Sequence, residues 1–241
     1  MRMKNTLHAF ASLGCALLLA GCGALPDKPA RATLYDFGPG LSAPAPAAAP
    51  TAALPALSLA EFDSNTRLDG TQILYRLGYA DANELRPYGQ SRWSQPPAQL
   101  LRQRLRDTLG ERRTVLGPEE SATLARTESI VPDTLRISLD EFSQYFESAG
   151  ASVGLVRLRA TLVRGAAGGD RILGQRVFTV RRPAPSADAP GGVKALISAS
   201  DAAVAEVVQW VDQMQQQAPN SNRSSSSSPG GSHSTDGGST P

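Results

Sequence analysis

Apolar positions along the 241-residue chain change period several times, and each change predicts an element. From Ala56 to Phe62, Leu57 and Leu59 alternate with the small Ser58 and Ala60. From Gln72 to Leu77, Ile73 and Tyr75 alternate with Leu74 and Arg76, and both spans read as strands. After Trp93, Ser94 is a candidate cap and Pro96-Pro97 suit a helical first turn, which predicts a helix running to about Leu109. Leu101, Leu105 and Leu109 form its buried stripe at four-residue spacing. Gly110 ends it, and Thr114 to Leu116 follows as a short strand.

Three longer strands are predicted next, over Thr134 to Phe146, Val153 to Val163 and Ile172 to Arg181. Their connectors, Ser148-Ala149-Gly150-Ala151 and Gly165 to Asp170, are short and carry glycine, which predicts an antiparallel meander. Leu135, Ile137 and Leu139 sit at odd positions, whereas Phe142 and Phe146 sit at even ones. That parity change predicts a bulge near Asp140-Glu141. Val156, Leu158, Ala160 and Leu162 supply one face of the second strand, with Arg157 and Arg159 turned away. A final helix from about Gly192 to Gln216 carries Val193, Leu196, Ile197, Val204, Val207, Val208 and Val211 at helical spacing. The fold class is α+β, a mostly antiparallel β-sheet with two helices packed on one face.

The ends of the chain obey other rules. Arg2 and Lys4 precede a short apolar run that closes on Leu19-Ala20-Gly21-Cys22, the pattern of a secretory signal ending in a lipobox. The run is too short for a spanning helix, which needs about 20 apolar residues. Cys22 is therefore expected to become the first mature residue, its sulfur carrying diacylglycerol and its amine a further acyl chain such as palmitate. Each buried methylene contributes about 0.8 kcal/mol, so several chains anchor permanently where one alone does not. Gly23 follows where an aspartate would favour inner-membrane retention, so the outer membrane, periplasmic side, is the expected location. Residues 1–21 are then a signal peptide and 22–55 a Pro/Ala-rich lipid-anchored tether, extended in character. Within it, Leu34 to Phe37 has the pattern of a strand docking on the body. Residues 56–216 form the domain, and 217–241, rich in Ser and Gly, lack the apolar content to fold.

Composition narrows the chemistry. The two cysteines, Cys15 and Cys22, both lie at the signal and lipobox, and the two histidines are His8 and His233, one in the leader and one in the tail. The domain thus lacks residues for a disulfide, for the usual zinc ligand sets, and for Cys-His or Ser-His-Asp nucleophiles. With Lys+Arg at 24 against Asp+Glu at 22, no polyanion affinity is implied and nucleic acid is not an expected partner. Asp140-Glu141 and Glu119-Glu120 are paired carboxylates, but neighbours along a strand point to opposite faces unless a bulge swings them together. Gly191-Gly192-Val193-Lys194 lacks the spacing of a phosphate loop and reads as helix initiation. No catalytic residue, metal site or cofactor is expected.

Two groups of residues remain as candidate contacts. Arg102, Arg104, Arg106, Arg112 and Arg113 crowd one helix and its exit, with Arg102 and Arg106 on one side. They suit a solvated face, or contact with lipid head groups or an acidic partner. Tyr75, Tyr79, Tyr88 and Trp93 cluster within a short stretch that suits a core anchor or an interface. Trp93 fits the core, and the polar segment from Tyr79 to Tyr88, with Arg86, is expected to face a partner.

Several stretches together resemble a known family: Cys22 in its lipobox, Leu68-Asp69-Gly70-Thr71-Gln72-Ile73, Trp93-Ser94-Gln95-Pro96, and Leu139-Asp140-Glu141-Phe142-Ser143-Gln144. Gln175-Arg176-Val177-Phe178, Arg182-Pro183-Ala184-Pro185 and the helix from Ala202 to Val211 look like the same family, the PqiC-like ABC-type transport auxiliary lipoproteins. The resemblance spans Thr33 to Gln216, with a long Pro/Ala insertion after Phe37 as a departure. It implies a non-enzymatic periplasmic adaptor of an MCE-type phospholipid transport system. Its implied partners are an MCE-domain protein with an inner-membrane ABC transporter; phospholipid contact and homo-oligomer assembly are left open. Two rival expectations stand beside it: a lipid-binding shuttle, which needs a sizeable apolar cavity, and a structural or assembly lipoprotein of another envelope complex.

Overall fold

The computed structural model describes residues 31–39, 54–128, 131–165 and 169–217. Its elements, in chain order, are β1 (Thr33–Tyr35), β2 (Leu57–Leu59), β3 (Asp63–Ser64), a 3-10 turn at Thr66–Leu68, β4 (Gln72–Leu77), β5 (Asp81–Trp93), α1 (Pro97–Gly110), β6 (Val115–Leu116), α2 (Pro118–Glu128), β7 (Asp133–Phe146), β8 (Ser152–Arg164), β9 (Arg171–Pro183) and α3 (Ala189–Gln217).

Strand β7 is the spine of a nine-stranded sheet. Along one edge it pairs antiparallel with β8, which pairs antiparallel with β9. Along its other edge β2, β3 and β4 lie end to end, each parallel to it, at Leu57↔Asp133, Asp63↔Ser138 and Tyr75↔Gln144. Strand β4 turns back into β5, and β1 adds to β5 in parallel through Thr33↔Ser91 to Tyr35↔Trp93. Strand β6 closes the far side against β2. The long pairings are thus antiparallel, while the short strands make the sheet more mixed than period alone conveys.

The expected bulge is present. Leu139 pairs with Leu158 and Glu141 with Arg157, so Asp140 is the extra residue, and beyond it Phe142 faces Val156. Odd residues before the bulge and even residues after it reach the same core. Into that core go Leu135, Ile137, Leu139 and Phe142 from β7, and Val156, Leu158, Ala160 and Leu162 from β8, none more than 2% exposed. Helix α3 covers β7, β8 and β9 with Val193, Leu196, Ala199, Ala203, Val204, Val207, Trp210 and Val211. Gly154 permits the close approach: a Cβ there would fall on the backbone of Ala195 and Leu196. Helix α1 packs beside α3 with Leu101, Leu105 and Leu109 inward.

Beyond β1, Phe37 reaches the core and meets Trp93 edge-on at 5.8 Å and Phe142 stacked at 6.3 Å. The docking strand and the buried Trp93 anchor are therefore features of the body itself.

Three expectations need correction, and one stretch left without an element gains one. A third helix, α2, occupies Pro118–Glu128; Glu119 and Glu120 form its first turn, and the Glu120 carboxylate accepts from the Gly117 N–H at 2.6 Å. That carboxylate pair serves a helix start. Ser94 does not cap α1, whose cap position is Pro96 with no side-chain bond; the Ser94 N–H donates to the Tyr35 carbonyl at 2.7 Å. The stretch Asp81 to Tyr88 is the first part of strand β5, held to β4 across Tyr75↔Arg86. Helix α3 begins at Ala189, three residues before the expected start, because Asp188 caps it and its carboxylate accepts from the Gly191 N–H at 2.8 Å. The lipobox, residues 19–22, and most of the expected tether and tail lie outside the described residues.

Candidate interaction surfaces

Tyr79, Arg86 and Tyr88 fall on the β4–β5 hairpin, yet the hairpin treats them differently. Tyr79 sits at the tip, 52% exposed. Arg86 is half-exposed and forms a close ion pair with Glu84 on its own strand. That hydrogen bond lowers the Glu84 pKa and raises that of Arg86, which gains further from Tyr75. Tyr88 turns inward. Its ring lies 4.6 Å from that of Tyr75, and its hydroxyl donates to Oε1 of Gln144 at 2.8 Å. Gln144 in turn donates from Nε2 to the Ser152 hydroxyl at 2.8 Å and is wholly buried.

Burial pushes the Tyr88 phenol up to about 12, with added repulsion from Tyr75 and Asp188. Helix α3 seals the same place, because a Cβ on Gly192 would collide with the Gln144 amide. Tyr88 is thus a structural tie between hairpin, sheet and helix. Gln144 could have been found in the sequence: it shares the inward parity of Phe142 and Phe146, where a polar residue must bring a partner.

Arg102 and Arg106 lie on one side of α1, as their spacing requires. Arg102 pairs with Glu61 at 2.8 Å and Arg106 with Glu120 at 3.8 Å. With Gln95, Gln99 and Gln103 they line an open depression of about 330 Å³. A second depression of about 290 Å³ continues past Glu61 to Phe62, Ser64 and Asp69. The first is lined by polar side chains and the second by a mixture that includes Phe62, Pro96 and Ala98, and both are too small for acyl chains in number.

Of the other arginines of this helix and its exit, Arg112 stays exposed while pairing with Asp212 at 2.8 Å, and Arg104 and Arg113 are tied inward. Arg104 donates to the Phe37 carbonyl, lies 5.9 Å over the Phe37 ring and pairs with Asp201 at 3.3 Å, so it staples β1, α1 and α3 together. Arg113, with its side chain 1% exposed, pairs closely with Asp212, and burial lowers its pKa.

The structure does not unite the two groups of candidates. Glu61, the partner of Arg102, follows Ala60, whose N–H bonds to Leu135 at the start of β7; the hairpin tip follows Leu77, which pairs with Phe146 at its end. At about 3.3 Å per residue those points are on the order of 35 Å apart. Asp140 and Glu141 are likewise separated in role. Asp140 pairs with Arg159 at 3.5 Å and Glu141 with Arg76 at 2.9 Å. Among the described residues, no group of three or more His, Cys, Asp or Glu could hold a metal, and no helix is long and apolar enough to cross a membrane.

A mixed sheet with one helical cover, its distinctive polar groups spent on holding its own elements together, defines an α+β domain that meets the outside through hairpin, helix and strand edge. The chain belongs to the family of ABC-type transport auxiliary lipoprotein components, whose model matches residues 40–208. It is thus an auxiliary transport lipoprotein, a class expected to be membrane-anchored in the cell envelope. Among solved structures it is similar to protein XCC0632 from Xanthomonas campestris, at 22% identity and a TM-score of 0.56, covering 67% of this chain and 86% of that one. That likeness shows a shared fold. Two others are a putative lipoprotein from Caulobacter crescentus (20% identity, TM-score 0.33, 51% and 84% covered) and lipoprotein GNA1162 from Neisseria meningitidis (10%, 0.32, 66% and 99%). No curated protein matches the chain.

Proposed function

We propose that this protein is an outer-membrane lipoprotein, anchored through Cys22 after removal of residues 1–21, that serves as the non-enzymatic periplasmic adaptor of an MCE-type ABC phospholipid transport system. The observation that carries the reading is the family match over residues 40–208, preceded in the same chain by Leu19-Ala20-Gly21-Cys22. Residues 22–55 act as the tether, with β1 docked on the body, and 217–241 as a tail. Tyr79 and Arg86 at the hairpin, with Arg102 and Arg106 on α1, are the contact residues of this reading, while Tyr88 holds the hairpin in place. The filled space between α3 and the sheet, where Leu139, Leu158 and Leu196 are almost without exposure, favours an adaptor over a lipid-carrying shuttle.

The test is capture of the anchored protein after mild crosslinking in intact envelopes. Retrieval of an MCE-domain protein with its transporter is expected. Retrieval of a different envelope complex in its place overturns the reading. In parallel, Cys22→Ser is expected to leave an unprocessed or unanchored product, followed by membrane fractionation and mass spectrometry of the amino terminus.

A further inference from the structure

Strand β9 is a long edge left open. It runs from Arg171 to Pro183 and, among the described residues, pairs only with β8, so that on its other side a row of backbone N–H and C=O groups has no described strand beside it. Its chemistry is one-sided. Arg171, Arg176, Arg181 and Arg182 are its charged residues, and it contains no carboxylate. Arg181 is held by Glu147 at 2.7 Å, whereas Arg171, Arg176 and Arg182 have no ion-pair partner among the described residues. Two aliphatic side chains stand out beside them, Ile172 at 64% exposure and Val177 at 43%. Next to the edge, Arg171, Ile172 and Leu173 line an open depression of about 330 Å³ with Met214 and Gln217 of α3.

We propose that the β9 edge is a docking strand for an extended segment of another protein in which acidic and aliphatic side chains alternate. Backbone pairing supplies the affinity, as in strand addition generally, and alternate side chains supply the choice of partner. Those on the helix side are the carboxylates, because Arg171 lines the depression at Met214 and Arg176 and Arg182 share the parity of Phe178 and Val180, paired across to Ala160 and Gly154. Those on the open face are aliphatic and lie along Val177, which pairs with the outward-facing Arg159. A second copy of β9 fits poorly in this place, because pairing two such strands gathers arginines with no counter-charge between them. The inference stands whichever transport system the chain serves, and a failure of the experiment below leaves the crosslinking test of the adaptor reading unaffected.

The experiment uses the full-length protein and a synthetic peptide alternating glutamate and valine over about the length of β9, with the lysine–valine peptide as control. Binding is followed by fluorescence anisotropy, and the site by amide hydrogen exchange. The glutamate peptide is expected to bind more tightly than the lysine peptide, to weaken with salt, and to protect amides of β9 between Arg171 and Arg182. Reversing the free cations in Arg171→Glu, Arg176→Glu and Arg182→Glu together is expected to weaken binding about tenfold or more, with the fold checked by circular dichroism. Equal binding of the two peptides by the wild-type protein overturns the proposal, as does protection that maps away from β9. Full protection of the β9 edge before any peptide is added also overturns it, since the edge would then be covered by a second copy or by the chain itself.

Discussion

The two ends of α3 are fastened to the sheet by different chemistry. At its start, near Phe146 of β7, the fastening is a neutral relay from Tyr88 through Gln144 to Ser152, closed by Gly192, with only the Asp188 cap charged. At its end, near Asp133, the fastening is ionic. Arg113 bonds Asp212 and Gln215, Gln215 donates to Asp133 at 3.2 Å, and Arg164 grips Asp133 with two bonds of 2.8 and 2.9 Å. Each end uses a glutamine as the central coupler. The neutral end leaves little unbalanced if one bond is lost, whereas the ionic end strands a buried charge. One helix thus has a tolerant start and an intolerant finish.

The sharpest way to break that contrast is Asp212→Ala. It removes the carboxylate facing Arg113, whose side chain is 1% exposed, and leaves the guanidinium buried beside Gln215 alone. A loss of about 3–5 kcal/mol is expected in urea denaturation. The double substitution Arg113→Met with Asp212→Leu should recover most of it, because an apolar pair of similar size avoids the desolvation cost. A single variant as stable as wild type would show that the ionic end is not the intolerant one.

Tyr88→Phe probes the other end with a smaller expected effect. The ring and its packing on Tyr75 remain, but Gln144 Oε1 loses its donor, for about 1–2 kcal/mol. The same tyrosine gives this end an alkaline limit. Its folded pKa, about 12, lies above the ordinary value near 10, so the folded state holds the proton that the unfolded chain releases. Stability from this group is therefore full below about pH 10 and is lost as pH rises toward 12. Denaturation midpoints compared between wild type and Tyr88→Phe across that window should converge as pH rises.

How much of this was legible in the sequence depends on whether a feature lives in local period or in distant pairing. The bulge at Asp140 was readable because inward parity changes between Leu139 and Phe142. So were α1 and α3, whose stripes face a core. Helix α2 escaped because it is exposed or half-exposed along its described length and so carries no stripe to detect. Parallel placement of β2, β3 and β4 along β7 also escaped, since alternation tells which face a residue takes and not which strand lies beside it. For the contact residues, Arg102 and Arg106 were placed correctly on one side, but their partners Glu61 and Glu120 come from other elements. Tyr88 looked like a surface tyrosine because Gln144, its acceptor, lies on a strand far along the chain.

The cap at Asp188 supplies the smallest effect and the finest cut between the two ends. Its carboxylate accepts from the Ser186 hydroxyl at 2.6 Å and from the Gly191 N–H at 2.8 Å, and these bonds, in that order, lower its pKa below the ordinary 3.8. A depressed folded pKa means that the stabilisation is present above the unfolded value and disappears as pH falls through the folded one. Acid should therefore loosen the first turn of α3 before the Tyr88 relay responds, because a phenol is neutral throughout that range. Amide exchange at Gly191 and Gly192 is expected to quicken relative to mid-helix amides as pH drops below about 4, and Asp188→Ala should show the quicker exchange already at neutral pH. If Asp188→Ala left the Gly191 amide as protected as in wild type, the close packing of Gly192 on Gln144 would by itself hold the start of the helix, and the neutral end would owe nothing to charge.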